Sequence, residues 1–135
     1  MTAVRVLVAD DDTLSRMVVA KMVRVLGGEC AEVSTGREVV EAVTAADAGT
    51  FDLVLTDIEM PEMDGLEALA ALRSHFAAAG TPGPRIVALT GECASEQLCR
   101  YRDAGFDACL GKPMKIERLR ALFDEFRLPQ LHPVP

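Results

Sequence analysis

The sequence predicts a single α/β domain: one doubly wound, five-stranded parallel sheet with helices on both faces. Three observations carry that expectation. Five short apolar runs of strand length alternate strictly with five segments of helical period. Two of those runs stop abruptly at carboxylates, as buried strands do when they reach the rim of a sheet. The core palette is Val, Leu, Ala and Met, because half the chain is hydrophobic while Trp is absent and aromatics are only 4%. Strict βα alternation calls for right-handed crossovers, which place helices on both sheet faces.

In chain order, Val4 to Ala9 (VRVLVA) is rich in β-branched residues and ends in Asp10-Asp11-Asp12. The period then changes. Leu14, Met17, Val18, Lys21, Met22, Val25 and Leu26 follow helical spacing, with Asp12 as N-cap and Gly27-Gly28 as the stop. Cys30 to Val33 is a short strand, and Thr35 with Glu38 forms a capping box that opens a helix through Val39, Val40, Ala42 and Val43. Asp47 to Thr50 turns the chain into Leu53-Val54-Leu55, a run that ends at Asp57. Pro61 and Gly65 force a loop, since proline removes a donor and glycine tolerates turns that other residues resist. Leu66, Leu69, Leu72, Arg73 and Phe76 then define a helix from Gly65 to about Ala79, closed by Gly80-Thr81-Pro82-Gly83-Pro84. Arg85 to Thr90 is a buried strand. Ala94 to Ala104 is a weakly apolar helix with Leu98 and Tyr101 as its large apolar residues, and Asp107 to Leu110 is the last strand, before Gly111-Lys112-Pro113. Ile116, Leu119, Leu122, Phe123 and Phe126 make the final amphipathic helix. Residues 1–128 form the domain and residues 129–135 a proline-containing tail.

A net charge of −7 argues against nucleic acid, because neutralising phosphates needs clustered Lys and Arg. No apolar run approaches the ~20 residues of a membrane span, and the N-terminus leads straight into a strand rather than a signal peptide. A cytoplasmic location and no membrane association are expected. Cys30, Cys93, Cys99 and Cys109 form no CxxC pair and are expected to be small buried hydrophobes. His75 and His132 lie in no nucleotide-binding context.

In a doubly wound sheet, ligands bind beyond the carboxyl ends of the strands. The residues found there are Asp10, Asp11, Asp57, Thr90 and Lys112. Carboxylates on neighbouring strand ends about 5 Å apart repel by roughly 3 kcal/mol per pair at an effective dielectric near 20. Hard oxygen ligands with room for water suit Mg²⁺. A divalent ion, an ammonium and a hydroxyl around one carboxylate are the parts that attract and stabilise a transferring phosphoryl group, with Asp57 as the oxygen nucleophile.

The pieces VLVADDD, LTDIEMPEMDG, ALTG and GKP together resemble the receiver domain of two-component response regulators. That likeness, over residues 4 to 127, implies the flavodoxin-like strand order 2-1-3-4-5. It implies that Asp57 is the phosphoacceptor and that Mg²⁺ is held by Asp11, Asp57 and the backbone carbonyl of Glu59, with Asp10 acting through water. Thr90 matches the phosphate-sensing hydroxyl, Lys112 the phosphate-pairing lysine, and Lys112-Pro113 a cis peptide. The family usually has an aromatic switch residue three positions before that lysine, where this chain has Cys109. DIEMPEMDGLEAL and AGFDACLGKPM are most similar to receivers of hybrid sensor histidine kinases. The implied partner is a sensor histidine kinase or a histidine phosphotransfer protein, and the domain is then a signalling module rather than an enzyme. The alternative is a Mg²⁺-dependent phosphatase or phosphotransferase with an aspartyl nucleophile, which would need a second acid/base Asp where this chain has Glu59. Glu59 and Glu92 are expected to flank the path of water to the phosphoryl group.

Overall fold

A computed structural model describes residues 3–45, 50–91 and 95–128, the last stretch as backbone alone over 95–99. The expected turn at 47–50 falls partly outside these residues, and Glu92, Cys93, the helix start at Ala94 and the tail 129–135 fall wholly outside them, as do the side chains of Leu98 and Cys99. Five strands and five helices alternate: β1 (Arg5–Ala9), α1 (Thr13–Val25), β2 (Glu29–Val33), α2 (Gly36–Ala45), β3 (Leu53–Asp57), α3 (Gly65–Ala79), β4 (Arg85–Thr90), α4 (Ser95–Ala104), β5 (Ala108–Gly111) and α5 (Ile116–Glu125). The strands pair in parallel in the order β2-β1-β3-β4-β5.

The alternation of side chains along each strand splits the core into two layers. Val6, Val8, Leu53, Leu55, Val87, Leu89 and Leu110 pack with Val19 and Val23 of α1 and Leu119, Leu122 and Phe123 of α5. Leu7, Val54, Ile86 and Ala88 pack with residues of α2, α3 and α4 on the other face. β1 and β3 lie inside the sheet and are covered on both faces, which is why their sequences read as continuous apolar runs.

The apolar residues expected on α1 divide between two faces, Met22 and Leu26 packing inward and Leu14, Met17, Val18 and Val25 facing out. Val19, Ala20 and Val23 are buried, whereas Leu14, Met17, Val18 and Val25 are 71, 56, 44 and 57% exposed. The helix has two apolar stripes, and Leu26, 1% exposed, and the partly buried Met22 pack in the core with the inward one. Of the cysteines, Cys30 and Cys109 are only partly buried. Burial is still enough to push the Cys30 thiol up to about 11, so it stays protonated at neutral pH.

Local caps follow the sequence closely. The Asp12 carboxylate accepts from the Ser15 N–H at 3.1 Å, and Asp64 and Glu67 form a second capping box at the start of α3. At α2, the Glu38 N–H donates to Thr35 Oγ1 at 3.1 Å while Glu38 Oε1 accepts from the Thr35 N–H at 3.1 Å. The Ser34 N–H and hydroxyl also donate to Glu38, each at 3.0 Å. Thr35→Ala should cost about 1 kcal/mol in urea unfolding at neutral pH. The Ser34 backbone and hydroxyl bonds, then those from Thr35, outweigh slight burial and hold the Glu38 carboxyl below its ordinary 4.5. Its contribution is complete above that unfolded value and is lost as pH falls through the lower folded value. The stability gap between wild type and Glu38→Ala should therefore close over that acid range; a gap independent of pH would mean that the charged bonds contribute nothing.

Candidate functional site

The site is built where β1, β3, β4 and β5 end. Asp10 follows the last residue of β1 and is wholly buried, Asp57 closes β3, Thr90 closes β4 and Lys112 follows β5. Each group's position is thus fixed by strand register rather than by a mobile loop. Carboxylate oxygens of Asp10, Asp11 and Asp57 lie within 4.8 Å of one another. Asp10 is buried, Asp57 partly so, and Asp11 exposed.

Asp10 is the most constrained of the three. Its Oδ1 accepts from the Asp12 N–H at 2.9 Å, its Oδ2 accepts from Lys112 Nζ at 2.8 Å, and its carbonyl accepts from Arg16 Nη1 at 2.9 Å. Lys112 Nζ also lies 3.0 Å from Asp57 Oδ2, so one ammonium spans two carboxylates. The other Asp57 oxygen accepts from the Ile58 N–H at 2.8 Å. Burial raises the Asp57 carboxyl above its usual range and the Asp10 charge adds to this, while Lys112 opposes both. Burial works against the Lys112 ammonium, but its bonds to Asp10 and Asp57 outweigh that and hold its pKa above that of an ordinary lysine.

A cleft of ≈ 930 Å³ opens over these groups and is lined by Asp11, Asp57, Glu59, Thr90, Lys112 and, from α4, Arg100 and Tyr101. The Lys112–Pro113 peptide is cis. Cys109 sits on β5 opposite Ala88 and packs in the layer beneath α2, α3 and α4. The structure thus brings Asp10, Asp11, Asp57, Thr90 and Lys112 together, with Glu59 at the rim and Cys109 one layer below.

Three residues were not read from the sequence as part of the site. Arg16 buttresses the Asp10 backbone while pairing with Glu32 of β2 at 3.4 Å, a cross-element contact that no local spacing announces. Arg100 and Tyr101 reach the cleft from a helix whose composition gave little face preference.

Gly65 has a different role from the one its place in a loop suggested. Its N–H donates to the Ile58 carbonyl at 2.7 Å, and a Cβ there would collide with the Asp57 carbonyl oxygen. The left-handed residue of this loop is instead Glu62, at φ 67°. Gly65 is needed because α3 starts against the backbone of β3's last residue. Gly65→Ala should therefore cost about 1–3 kcal/mol through overpacking, read as a lower urea midpoint. A neutral result would mean that the loop yields and does not brace Asp57.

A parallel sheet with a triad of carboxylates and a lysine at its carboxyl rim defines the class of protein, and the family profile for the response regulator receiver domain matches residues 6–124. The chain belongs to that family. A two-component response regulator of rice, Oryza sativa subsp. japonica, is 35% identical over 123 residues, covering 91% of this chain and 86% of that protein. The sensor histidine kinase RcsC of Salmonella typhi is 30% identical over 115 residues, covering 85% of this chain but only 11% of the kinase. The chain thus spans about a tenth of such longer relatives.

Among solved structures, the Vibrio cholerae chemotaxis response regulator CheY4 superposes with a TM-score of 0.78 at 28% identity, covering 93% of this chain and 99% of that one. The receiver of a Saccharomyces cerevisiae response regulator, solved with a histidine phosphotransfer protein, gives 0.84 at 21% identity over 92% of this chain and 88% of that one. The receiver of the Pseudomonas aeruginosa sensor histidine kinase PA1611, described with a magnesium ion in its active-site cleft, gives 0.78 at 24% over 93% and 98%. Both share the fold. The chain is a two-component receiver domain, and among its described residues no helix is long and apolar enough to cross a membrane.

Proposed function

We propose that Asp57 is the phosphoacceptor of this receiver. A carboxylate oxygen attacks the phosphorus of a partner's phosphohistidine; the O–P bond forms as the N–P bond breaks, and the imidazole leaves with the electron pair. The observation that carries this reading is the convergence on Asp57 of two further carboxylates within 4.8 Å and one ammonium at 3.0 Å. The set fits a hard divalent cation with water in its shell. Asp11, Asp57 and the Glu59 carbonyl would hold Mg²⁺, with Asp10 acting through water. When bound, Mg²⁺ relieves the repulsion among the carboxylates and draws charge from the phosphoryl oxygens.

The chain's own groups supply the rest. Lys112 releases the Asp57 oxygen and pairs with the phosphoryl group while keeping Asp10. The Thr90 hydroxyl donates to a phosphoryl oxygen. The phosphodonor is a sensor histidine kinase or a histidine phosphotransfer protein, and α1 suits its docking. Helix α1 begins directly after the acidic cluster, and Leu14, Met17, Val18 and Val25 leave an apolar surface open beside it. Grouped apolar exposure of this kind marks contact surfaces, and a helical partner would lay its own apolar face against it. Whether this domain stands alone or belongs to a larger kinase sets the activity of the whole protein; the wording of its motifs favours the hybrid kinase.

Incubation with acetyl phosphate and Mg²⁺ should give a single phosphate adduct by intact mass, absent in Asp57→Asn and in excess chelator. An adduct of equal yield in Asp57→Asn would remove Asp57 from this role. Lys112→Ala should lose phosphorylation rate yet bind Mg²⁺ more tightly by calorimetry, because the ammonium no longer competes for Asp10 and Asp57. Weaker binding in that variant would mean that Lys112 orders the carboxylates rather than competing for them.

A further inference from the structure

Among the described residues, one aromatic side chain, Tyr101 of α4, lines the cleft with Thr90. Along β4, Val87 and Leu89 pack toward α1 and α5, whereas Ile86 and Ala88 pack on the opposite face, so the two-residue period puts Thr90 on the α4 side. On β5, Leu110 joins the first layer and Cys109 the second, where Cys109 is the register partner of Ala88. Two small side chains thus lie side by side just below Thr90.

The large group on that side that also lines the cleft from α4 is Tyr101. It is 9% exposed, belongs to the same packed layer, stands edge-on to Phe106 at 6.2 Å and 88°, and lines the same cleft as Asp57, Thr90 and Lys112. The base of the residue is tethered. The Phe106 N–H donates to the Tyr101 carbonyl at 3.3 Å, and Arg73 of α3 donates to the Gly105 carbonyl at 2.6 and 3.2 Å while pairing with Asp107 at 3.1 Å. The carboxyl end of α4 is therefore fixed to α3 and β5. With that end held, a shift of the Tyr101 ring over Ala88 and Cys109 falls to its side-chain torsions and to turning of the helix about that end.

We propose that Tyr101 is the positioning residue through which Thr90 moves α4: when the Thr90 hydroxyl is drawn to a phosphoryl group on Asp57, the Tyr101 ring enters the space that Thr90 leaves above Ala88 and Cys109. The proposal rests on Asp57 being the phosphoacceptor. Ala88 and Cys109 cannot fill that space themselves, and the ring, already buried beside it, can fill it and so restore the contacts a void would lose. Arg100, on the same turn of α4, lines the cleft as well, so the ring's movement also carries a guanidinium relative to Asp57.

The chain contains one tyrosine and no tryptophan. Biosynthetic 3-fluorotyrosine therefore gives a single fluorine resonance that reports Tyr101 alone. Beryllofluoride with Mg²⁺ serves as the phosphoryl probe, and its own bound fluoride signal reports occupancy of Asp57 separately. In wild type, the tyrosine resonance should move to a new position as the bound signal saturates. In Thr90→Ala, titrated until the bound signal saturates, it should stay at its free position. Amide shifts in α4 should follow the same pattern, and Tyr101→Phe should retain them while Tyr101→Ala loses them. A bound-fluoride signal with an unmoved tyrosine would overturn this proposal and leave the phosphoacceptor reading intact. An equal tyrosine shift in Thr90→Ala would also overturn it, by showing that the ring senses the ligand directly. If no bound-fluoride signal appears, the reading of Asp57 fails first and this proposal with it.

Discussion

Three carboxylates meet one ammonium at the rim of this sheet, and much of the structure around them exists to make that tolerable. At about 5 Å and an effective dielectric near 20, each carboxylate pair repels by roughly 3 kcal/mol. A wholly buried Asp10 would be untenable alone. Its two oxygens are taken by Lys112 and the Asp12 N–H, and its carbonyl is held by Arg16, so burial is accompanied by bonding at every polar atom named. Counting three carboxylates against one ammonium leaves two negative charges uncompensated in the cluster. That excess makes the pocket receptive to a divalent cation, whose own charge in turn makes it receptive to a phosphoryl group.

The fold supports this cluster from below by close backbone contacts. The loop after β3 is held at both ends. The Gly65 N–H closes onto the Ile58 carbonyl, and the Gly36 N–H donates to the Met63 carbonyl at 2.9 Å. At both glycines a Cβ would strike the facing backbone, Asp57 for Gly65 and Met63 for Gly36. Helices α2 and α3 can therefore start close enough to β3 to fix the Asp57 backbone and the Glu59 carbonyl nearby. The left-handed Glu62 stores a modest backbone cost in the same loop, which the two clamps hold in place.

The sequence was legible wherever a feature is local. Strand runs ending at Asp10 and Asp57, the Thr35–Glu38 box and the bounds of α3 and β4 depend on neighbours within a few residues, and all can be read without the structure. Features set by packing were not. α1 carries two apolar stripes, and hydrophobicity favoured Leu14, Met17 and Val18, which the sheet leaves outside. Single-helix spacing could not tell the two apart, because both stripes carry valines and large apolar residues and only packing against the sheet selects Val19, Val23 and Leu26. Gly65 read as a turn residue because nothing in the sequence shows that its missing Cβ faces a carbonyl. Lys112 read as a phosphate partner, and its grip on Asp10 depends on two residues 102 positions apart. Of the candidate site, the strand-end residues were legible, whereas Arg16, Arg100, Tyr101 and the bonding were not.

The bonding is what makes a switch physically reasonable. Under the phosphoacceptor reading, Lys112 holds Asp57 before phosphorylation through Oδ2, the oxygen that a phosphoryl group would crowd. Phosphorylation places about two negative charges there, and the ammonium can follow them without leaving Asp10, since that bond is made to a separate carboxylate. The lysine's movement is therefore small, and β5 need not shift with it. Thr90 is different. It lies at the last position of β4, paired with Gly111 of β5 and with its carbonyl accepting from the Lys112 N–H at 2.8 Å, so its backbone is held by the sheet and a displacement falls to its side chain. Asp10 and Lys112 are tied to each other on one side of the site, and Thr90 lines the cleft with Tyr101 of α4 on the other. A signal generated among charges that barely move should leave the domain on the α4 side of the pocket, which Arg100 and Tyr101 line.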